Sequence, residues 1–408
     1  MSADSLYISD RIPPTTHAGY KVKKMDSRPC NLPWFGAWIN AVGNVTCCPQ
    51  NSTVFGNLNR VDSFEDVWNS DSAHAVRRDV ARGDYVAAGC DKECPFLRGH
   101  AETPKDYPPH SELIAPEIDC PQEEDSLYGQ NYFAARKNYE SSGTRIDNLP
   151  LFVDIQPLLL CNSDCFMCGQ PHGDKTRHST DLSEKIKALA ATANYFRWQG
   201  GEVFLIKSFA DFVDSHKRGN NKYFRTYVIS NGSKISQEDI DLLTCADEPT
   251  IFLMSMDGAS EATHFHVRRR KYFGKAIKAI ERLALRQREL GRRDLVRWNF
   301  VVMKTNFNEI EDVISMAERL GLDVNLAPLQ GNYPEENFFL YPDLLDDDYC
   351  KDTLNRLEAY ASRLPISVTG FAGMRVRLEN RDKMLREVGH ALVHDVATSA
   401  MLPNSELG

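Results

Sequence analysis

No stretch of the 408-residue chain approaches the roughly 18 uncharged apolar residues that a membrane span requires. The opening residues, MSADSLYISDRIPPTTHAGYKVKK, contain no apolar core of the kind a secretory leader uses. Basic side chains are in deficit, with 48 Lys and Arg against 57 Asp and Glu, and the resulting charge of −9 argues against a general nucleic-acid binder. Cysteine is sparse as well. Eleven cysteines are an odd number and fall well under the roughly 8–10% of a disulfide scaffold, so a framework of bridges is excluded as the organising device. No internal repeat or low-complexity tract is visible. These absences make the cytoplasm the expected compartment, where clustered thiols are more often metal ligands or catalysts than bridges.

What is present is ordinary globular composition, 42% hydrophobic, with the cysteines unevenly placed. Residues 30, 47, 48, 90 and 94 form one group and residues 161, 165 and 168 another, while Cys120, Cys245 and Cys350 stand apart. The proline- and acid-rich text from residue 100 has no apolar period and reads as a linker extending to residue 148. From residue 149 strand-like and helix-like runs alternate. LPLFVDIQPLLL, YFRWQGG, RTYVISNG, TIFLMSMDG, VRWNFVVMKTN and DVNLAPLQ are the expected strands, with helices between them, one of which is expected to run through VFLIKSFADFVDSHK. That alternation implies right-handed crossovers and a parallel sheet buried on both faces, as an open doubly wound sheet or a barrel. In either, polar chemistry collects at the C-terminal strand ends, where Cys161, Gly201, Asn231, Asp257 and Asn306 fall. The domains expected are 1–99, a linker over 100–148, an α/β unit over 149–335 and a helical extension over 336–408. That extension has a helix over DDDYCKDTLNRLEAYASRL, a GFAG turn and a second helix from near Glu379.

Cys161-Asn-Ser-Asp-Cys165-Phe-Met-Cys168 puts three thiols within eight residues of one loop. Three thiolates hold three irons of a cubane that ordinarily takes four cysteines, leaving one iron open. The alternative is zinc, with His172 or His178 as fourth ligand. The three-then-two spacing after the first strand of a repeated βα unit resembles the radical S-adenosylmethionine superfamily over roughly residues 149–330. The resemblance implies an α/β fold, a partial (β/α)6 barrel of parallel strands with a small loop-rich N-terminal iron-sulfur module and a helical C-terminal extension. It also implies a 4Fe-4S cluster on Cys161, Cys165 and Cys168 whose open iron chelates S-adenosylmethionine. Gly200, Gly201 and Glu202 match the segment that meets the methionine ammonium, although Val203 stands where the family usually has proline. Ser230 with Asn231, and Ser255 with Asp257, match positions on the ribose and carboxylate side. Arg268, or its neighbours Arg269 and Arg270, matches an arginine reaching the cofactor carboxylate, and Met167 the apolar position near the adenine. A lone turn, a solvated basic helix start and plain loop packing are the bland readings of these same residues.

In the N-terminal group, Cys30, twelve residues, Gly43, four residues, Cys48, then FGNL, EDVWNS and the close pair Cys90 and Cys94 are similar to a SPASM or Twitch module. The resemblance implies a second, auxiliary 4Fe-4S cluster, with Cys47 as the spare thiol. A structural zinc site is the alternative. The module usually follows the radical domain, so the chain reads as permuted. Cys245 and Cys350 are expected to pack, and Cys120 to be an unpaired linker thiol. The implied activity is reductive cleavage of S-adenosylmethionine and hydrogen abstraction from a peptide or small-molecule substrate. The resemblance implies an oxidoreductase-type enzyme fed by a reducing partner such as flavodoxin or ferredoxin, while the net charge and the lack of a long apolar run leave neither nucleic acid nor membrane as an expected partner. No catalytic side chain is assigned. A non-catalytic iron-sulfur electron carrier and a zinc-stabilised binding protein are the readings from other classes.

Overall fold

The six expected parallel strands form where apolar residues alternate or run together. They are β4 (Phe152–Ile155), β5 (Tyr195–Trp198), β6 (Arg225–Ser230), β7 (Ile251–Ser255), β8 (Val296–Val302) and β9 (Asp323–Pro328). The computed structural model describes residues 30–91, 94, 118–122, 125–217, 221–245, 249–379 and 381. Each strand hydrogen-bonds in parallel to its neighbour in sequence. Helices Thr180–Ala188, Phe209–Lys217, Gln237–Thr244, Phe273–Glu289 and Ile310–Leu320 make the crossovers. Serine side chains start two of them. Ser179 accepts from the Leu182 N–H and Ser236 from the Asp239 N–H, satisfying donors a helix start leaves orphaned. The outward residues of the strands, among them Trp198, Phe252, Trp298 and Phe300, are fully buried beneath these helices.

Burial on both faces holds only for part of the sheet. β4 is buried at every position, but β8 alternates strictly, with Arg297, Asn299 and Val301 half-exposed. In β9, Asp323 and Asn325 repeat that pattern. The inner face of β8 and β9 therefore borders a water-accessible hollow, as expected for strands that curl into a partial barrel instead of lying between two helical layers.

The N-terminal region joins the same sheet. β1 (Gly36–Ile39) runs parallel to β4 with Trp38 opposite Asp154, and β2 (Asn44–Thr46) and β3 (Gly56–Asn57) add antiparallel strands beyond it. With the short β10 (Val368–Thr369) beside β9, the order is β10-β9-β8-β7-β6-β5-β4-β1-β2-β3.

Three expectations are corrected. Of the segment expected as a linker, residues 123, 124 and 100–117 lie outside the description, but Leu127–Glu140 is a helix that buries Tyr128, Ala135 and Tyr139. The chain after it is tied to the N-terminal module: the Trp34 and Trp68 indole N–H groups donate to the carbonyls of Gly143 (2.7 Å) and Asn148 (2.8 Å). The helix expected through VFLIKSFADFVDSHK is broken. Val203–Leu205 makes one 3-10 turn, and Ser208, at φ +60°, separates it from Phe209–Lys217. Finally, GFAG is no turn between helices, because helix Phe371–Glu379 begins within it, following Gly370 at φ +106°. A helix beginning near Glu379 falls outside the described residues, apart from Arg381.

Candidate iron-sulfur and cofactor site

Between β4 and the first crossover helix, the cysteine loop is pinned by backbone bonds. The Cys161 N–H donates to the His172 carbonyl (3.0 Å), while those of Asp164 and Phe166 donate to the carbonyls of Arg268 and Val267. These last carbonyls end helix Glu261–Arg268 and would otherwise lack partners. Cys161, Cys165 and Cys168 all line one cleft at the C-terminal end of the sheet, together with Met167, Gln170 and His172. Burial raises the Cys161 thiol, and raises Cys165 to about 11 although Arg268 opposes it. His178 is turned away, its Nε2 within 2.9 Å of the Asn40 carbonyl, and His172 lies 3.1 Å from Asp164. Among the described residues, no three His, Cys, Asp or Glu side chains are gathered tightly enough to hold one metal ion.

The second wall comes from the end of β5. Gly200 and Gly201 have φ of +87° and +59°, and a Cβ at Gly201 would lie 2.4 Å from the Leu160 carbonyl oxygen. Only glycine lets this turn sit against the cysteine loop. Gln170 fixes it further, accepting the Gly201 N–H at 2.8 Å. Gly201→Ala is expected to destabilise the chain by at least about 1 kcal/mol, since the native φ is strained for alanine and the obstructing atom is backbone. A urea midpoint unchanged from wild type would refute this.

Glu202 is buried, and each carboxylate oxygen already has a donor: Ser230 Oγ at 2.7 Å to one and the Asn231 N–H at 2.8 Å to the other. Burial raises its pKa, against the opposing hydrogen bonds from Asn231 and Ser230. A carboxylate has about four acceptor positions, so capacity remains for an ammonium. Asn231 donates to Asn162 Oδ1 (2.9 Å) and to Ser163 Oγ (3.2 Å), which ties the end of β6 to the cysteine loop.

The end of β7 carries a buried ion pair. Arg268 Nη2 lies 2.6 Å from Asp257 Oδ2, and Asp257 Oδ1 accepts the Val301 N–H at 2.8 Å. Arg268 also donates to Cys165 Sγ at 3.6 Å. Burial works against its charge, but Asp257 and Cys165 more than offset this and its pKa is raised. Of the three consecutive arginines it is the inward one; Arg269 and Arg270 are exposed, Arg269 at φ +58°. Ser255 lines the cleft as well.

The residues fit a cluster with a chelated zwitterion. Three sulfurs share one cleft, Glu202 has spare acceptor capacity, and Arg268 Nε is buried without a hydrogen-bond partner. Sequence reading missed Ser163, Gln170 and Tyr272. The Ser163 and Tyr272 hydroxyls lie 2.6 Å apart, and the Ser163 N–H donates to Cys161 Sγ at 3.4 Å. Ser163 and Gln170 had one signal, proximity to the cysteine motif, whereas Tyr272, 109 residues beyond Ser163, had none.

Around β1–β3, burial lifts Cys30 well above the ordinary thiol range, with Cys48 next and Cys94 and Cys90 adding to it. Burial also raises Cys90 to about 11, with Cys48 and Cys94 contributing. Cys30, Cys48, Cys90 and Cys94 thus sit within electrostatic reach of one another, and so does Cys47, which is buried in the core beside them and whose thiol is raised by its hydrogen bond with Cys48, by burial and by Cys30 and Cys90. Cys120 and Cys245 are exposed, so Cys245 does not pack as expected; it ends a helix with its thiol on the Leu242 carbonyl. Cys350 is buried.

The sequence model of the Radical SAM superfamily matches residues 155–320. That of the SPASM iron-sulfur cluster-binding domain matches residues 30–95. No curated protein matches the chain. Among solved structures it is similar to anSMEcpe with bound AdoMet and Cp18Cys peptide, at 19% identity over 54% of this chain and 63% of that one, TM-score 0.43. It is similar to Streptococcus suis SuiB bound to S-adenosylmethionine, at 14% identity over 74% and 66%, TM-score 0.45. A radical SAM methyltransferase from Sphaerobacter thermophilus is similar at 18% identity over 54% and 67%, TM-score 0.39. The chain spans 63% of the first of these structures.

Proposed function

From the premise that this chain belongs to the radical S-adenosylmethionine superfamily, with a SPASM iron-sulfur module ahead of its radical domain, we propose that it is an oxidoreductase-type enzyme that removes hydrogen from a peptide or small-metabolite carbon. The carrying observation is the convergence of Cys161, Cys165, Cys168, Gly201, Glu202 and Arg268 on one cleft. When bound, a 4Fe-4S cluster and S-adenosylmethionine supply one-electron cleavage of the sulfonium, giving methionine and a 5′-deoxyadenosyl radical.

The residues of the chain supply binding and exclusion of water. Cys161, Cys165 and Cys168 hold the cluster, and the Gly200–Gly201 turn allows the backbone to approach the cofactor. Glu202 pairs with its ammonium and Arg268 with its carboxylate, in charge-assisted bonds. Ser230, Asn231, Ser255 and Asp257 hold that side of the cleft, and Met167 offers an apolar contact to the adenine. Substrate enters the hollow bordered by Asn299 and Asn325, whose amides suit neutral polar groups.

In the N-terminal module Cys30, Cys48, Cys90 and Cys94 hold the auxiliary cluster and Cys47 is structural. Cys47→Ala is expected to keep the iron content of wild type, whereas Cys48→Ala loses about four irons per chain. Equal iron loss in both variants would reverse the assignment. The function itself is tested by anaerobic reconstitution, followed by dithionite and S-adenosylmethionine. 5′-Deoxyadenosine and methionine in equal amounts are the expected products, and protein that takes up zinc and no iron would refute the reading.

A further inference from the structure

Arg77 is fully buried on the inner face of helix Asp71–Ala81, its guanidinium carbon 4.7 Å from the centre of the Trp68 ring and 6.0 Å from that of Phe55. Nε donates to the Pro33 carbonyl (2.9 Å) and Nη1 to that of Thr144 (3.1 Å), while Nη2 is buried with no hydrogen-bond partner. Among the described residues no carboxylate pairs with it, in contrast to Arg197 on Asp154 and Arg268 on Asp257. Burial pulls its pKa down to about 9, and Cys47 opposes that fall. It therefore still carries its charge at neutral pH, in a place where a charge without a partner is costly.

The charge reaches the N-terminal cysteines from two sides. Pro33, whose carbonyl it holds, lies in helix Leu32–Phe35 just after Cys30, and the Leu32 N–H donates to the Cys30 thiol. On the other side, the Phe55 N–H donates to the Val45 carbonyl (2.8 Å), two residues before Cys47, and both Phe55 and Cys47 belong to the core that surrounds Arg77. Cys47 donates in turn to the Cys48 sulfur. What this pocket lacks is a negative charge. Four thiolates around an iron-sulfur core supply one, since the assembly is an anion when oxidised and more so when reduced.

We infer that Arg77 is the internal counter-charge of the auxiliary cluster and holds its reduction potential up. The inference rests on the reading of Cys30, Cys48, Cys90 and Cys94 as that cluster's ligands. Reduction adds one electron to the cluster, and no bond to the protein forms or breaks. A fixed cation in a dry core favours the more negative, reduced state, so removing it makes the centre harder to reduce. An arginine that only tied Pro33 to Thr144 would act differently. Its loss would either leave the potential where it is or loosen the module and admit water, and water also favours the reduced, more highly charged cluster, moving the potential up.

The test uses the full chain carrying Cys165→Ala, reconstituted anaerobically, so that the auxiliary centre alone is observed. It is titrated with dithionite in the presence of redox mediators, and the reduced cluster is followed by electron paramagnetic resonance. Adding Arg77→Met should lower the equilibrium constant for reduction by about tenfold or more, a fall of about 59 mV for one electron, at an iron content equal to that of the parent. Arg77→Gln, which keeps a donor for the two carbonyls and drops the charge, should show the same fall and serves alone if the methionine variant does not fold. A potential that stays put or rises in the iron-replete variants overturns the proposal. Absence of iron from the Cys165→Ala parent would instead overturn the auxiliary-cluster reading, so the two failures are distinguishable.

Discussion

Replacing any one of Cys161, Cys165 or Cys168 with alanine is expected to abolish 5′-deoxyadenosine formation while leaving the N-terminal centre in place. A loop that supplies three thiolates to a cubane has no spare ligand, so removing one leaves two irons without protein partners. The expected iron content falls by about four per chain, and the remaining visible absorbance belongs to the auxiliary cluster. The fold should survive, because the loop is held by backbone bonds to His172, Val267 and Arg268 that an alanine keeps. Iron and sulfide analysis beside product chromatography checks both halves. A variant that lost the cluster and still made 5′-deoxyadenosine would show that the chemistry lies elsewhere. An electron carrier would never make the product, even as wild type.

Asp257→Asn should have the largest effect on stability. Asp257 is fully buried and Arg268 nearly so, and a buried charge that loses its partner costs about 3–5 kcal/mol. Arg268 cannot escape by losing its proton, since a guanidinium stays charged at every working pH. Asparagine can still accept the Val301 N–H, so the loss isolates the ion pair. A second change, Arg268→Met, removes the stranded charge and should restore much of the stability, but not S-adenosylmethionine binding. Urea unfolding measures the first effect and equilibrium binding of S-adenosylmethionine the second. If the single variant unfolded at the wild-type midpoint, the pair would carry no stabilising role.

The six parallel strands were legible because each is a short apolar run bounded by turn residues, and the cofactor cleft because its chemistry concentrates at the ends of those runs. The helix Leu127–Glu140 was not, since its buried face uses Tyr128, Asn131, Ala135 and Tyr139, a mixture without a clear apolar stripe. The choice among Arg268, Arg269 and Arg270 was also closed to sequence. It depends on where helix Glu261–Arg268 ends, and the left-handed turn at Arg269 leaves only Arg268 facing Asp257. Cys245 shows the converse error: a thiol in a helical pattern looks like core until the helix stops one residue before it. Alternating exposure in β8 could have been read from Arg297 and Asn299, polar residues set between Val296, Trp298 and Phe300.

The parallel pairing of β1 with β4 has an implication for dissection of the chain. Cutting the N-terminal region away would strip a ladder of backbone partners from Phe152, Val153, Asp154 and Ile155. A truncated barrel would then present a bare edge, ready to zip onto another copy of itself. The N-terminal cysteine region and the cysteine loop after β4 thus share one sheet, and loss of the first would be felt at the strand that leads into the second.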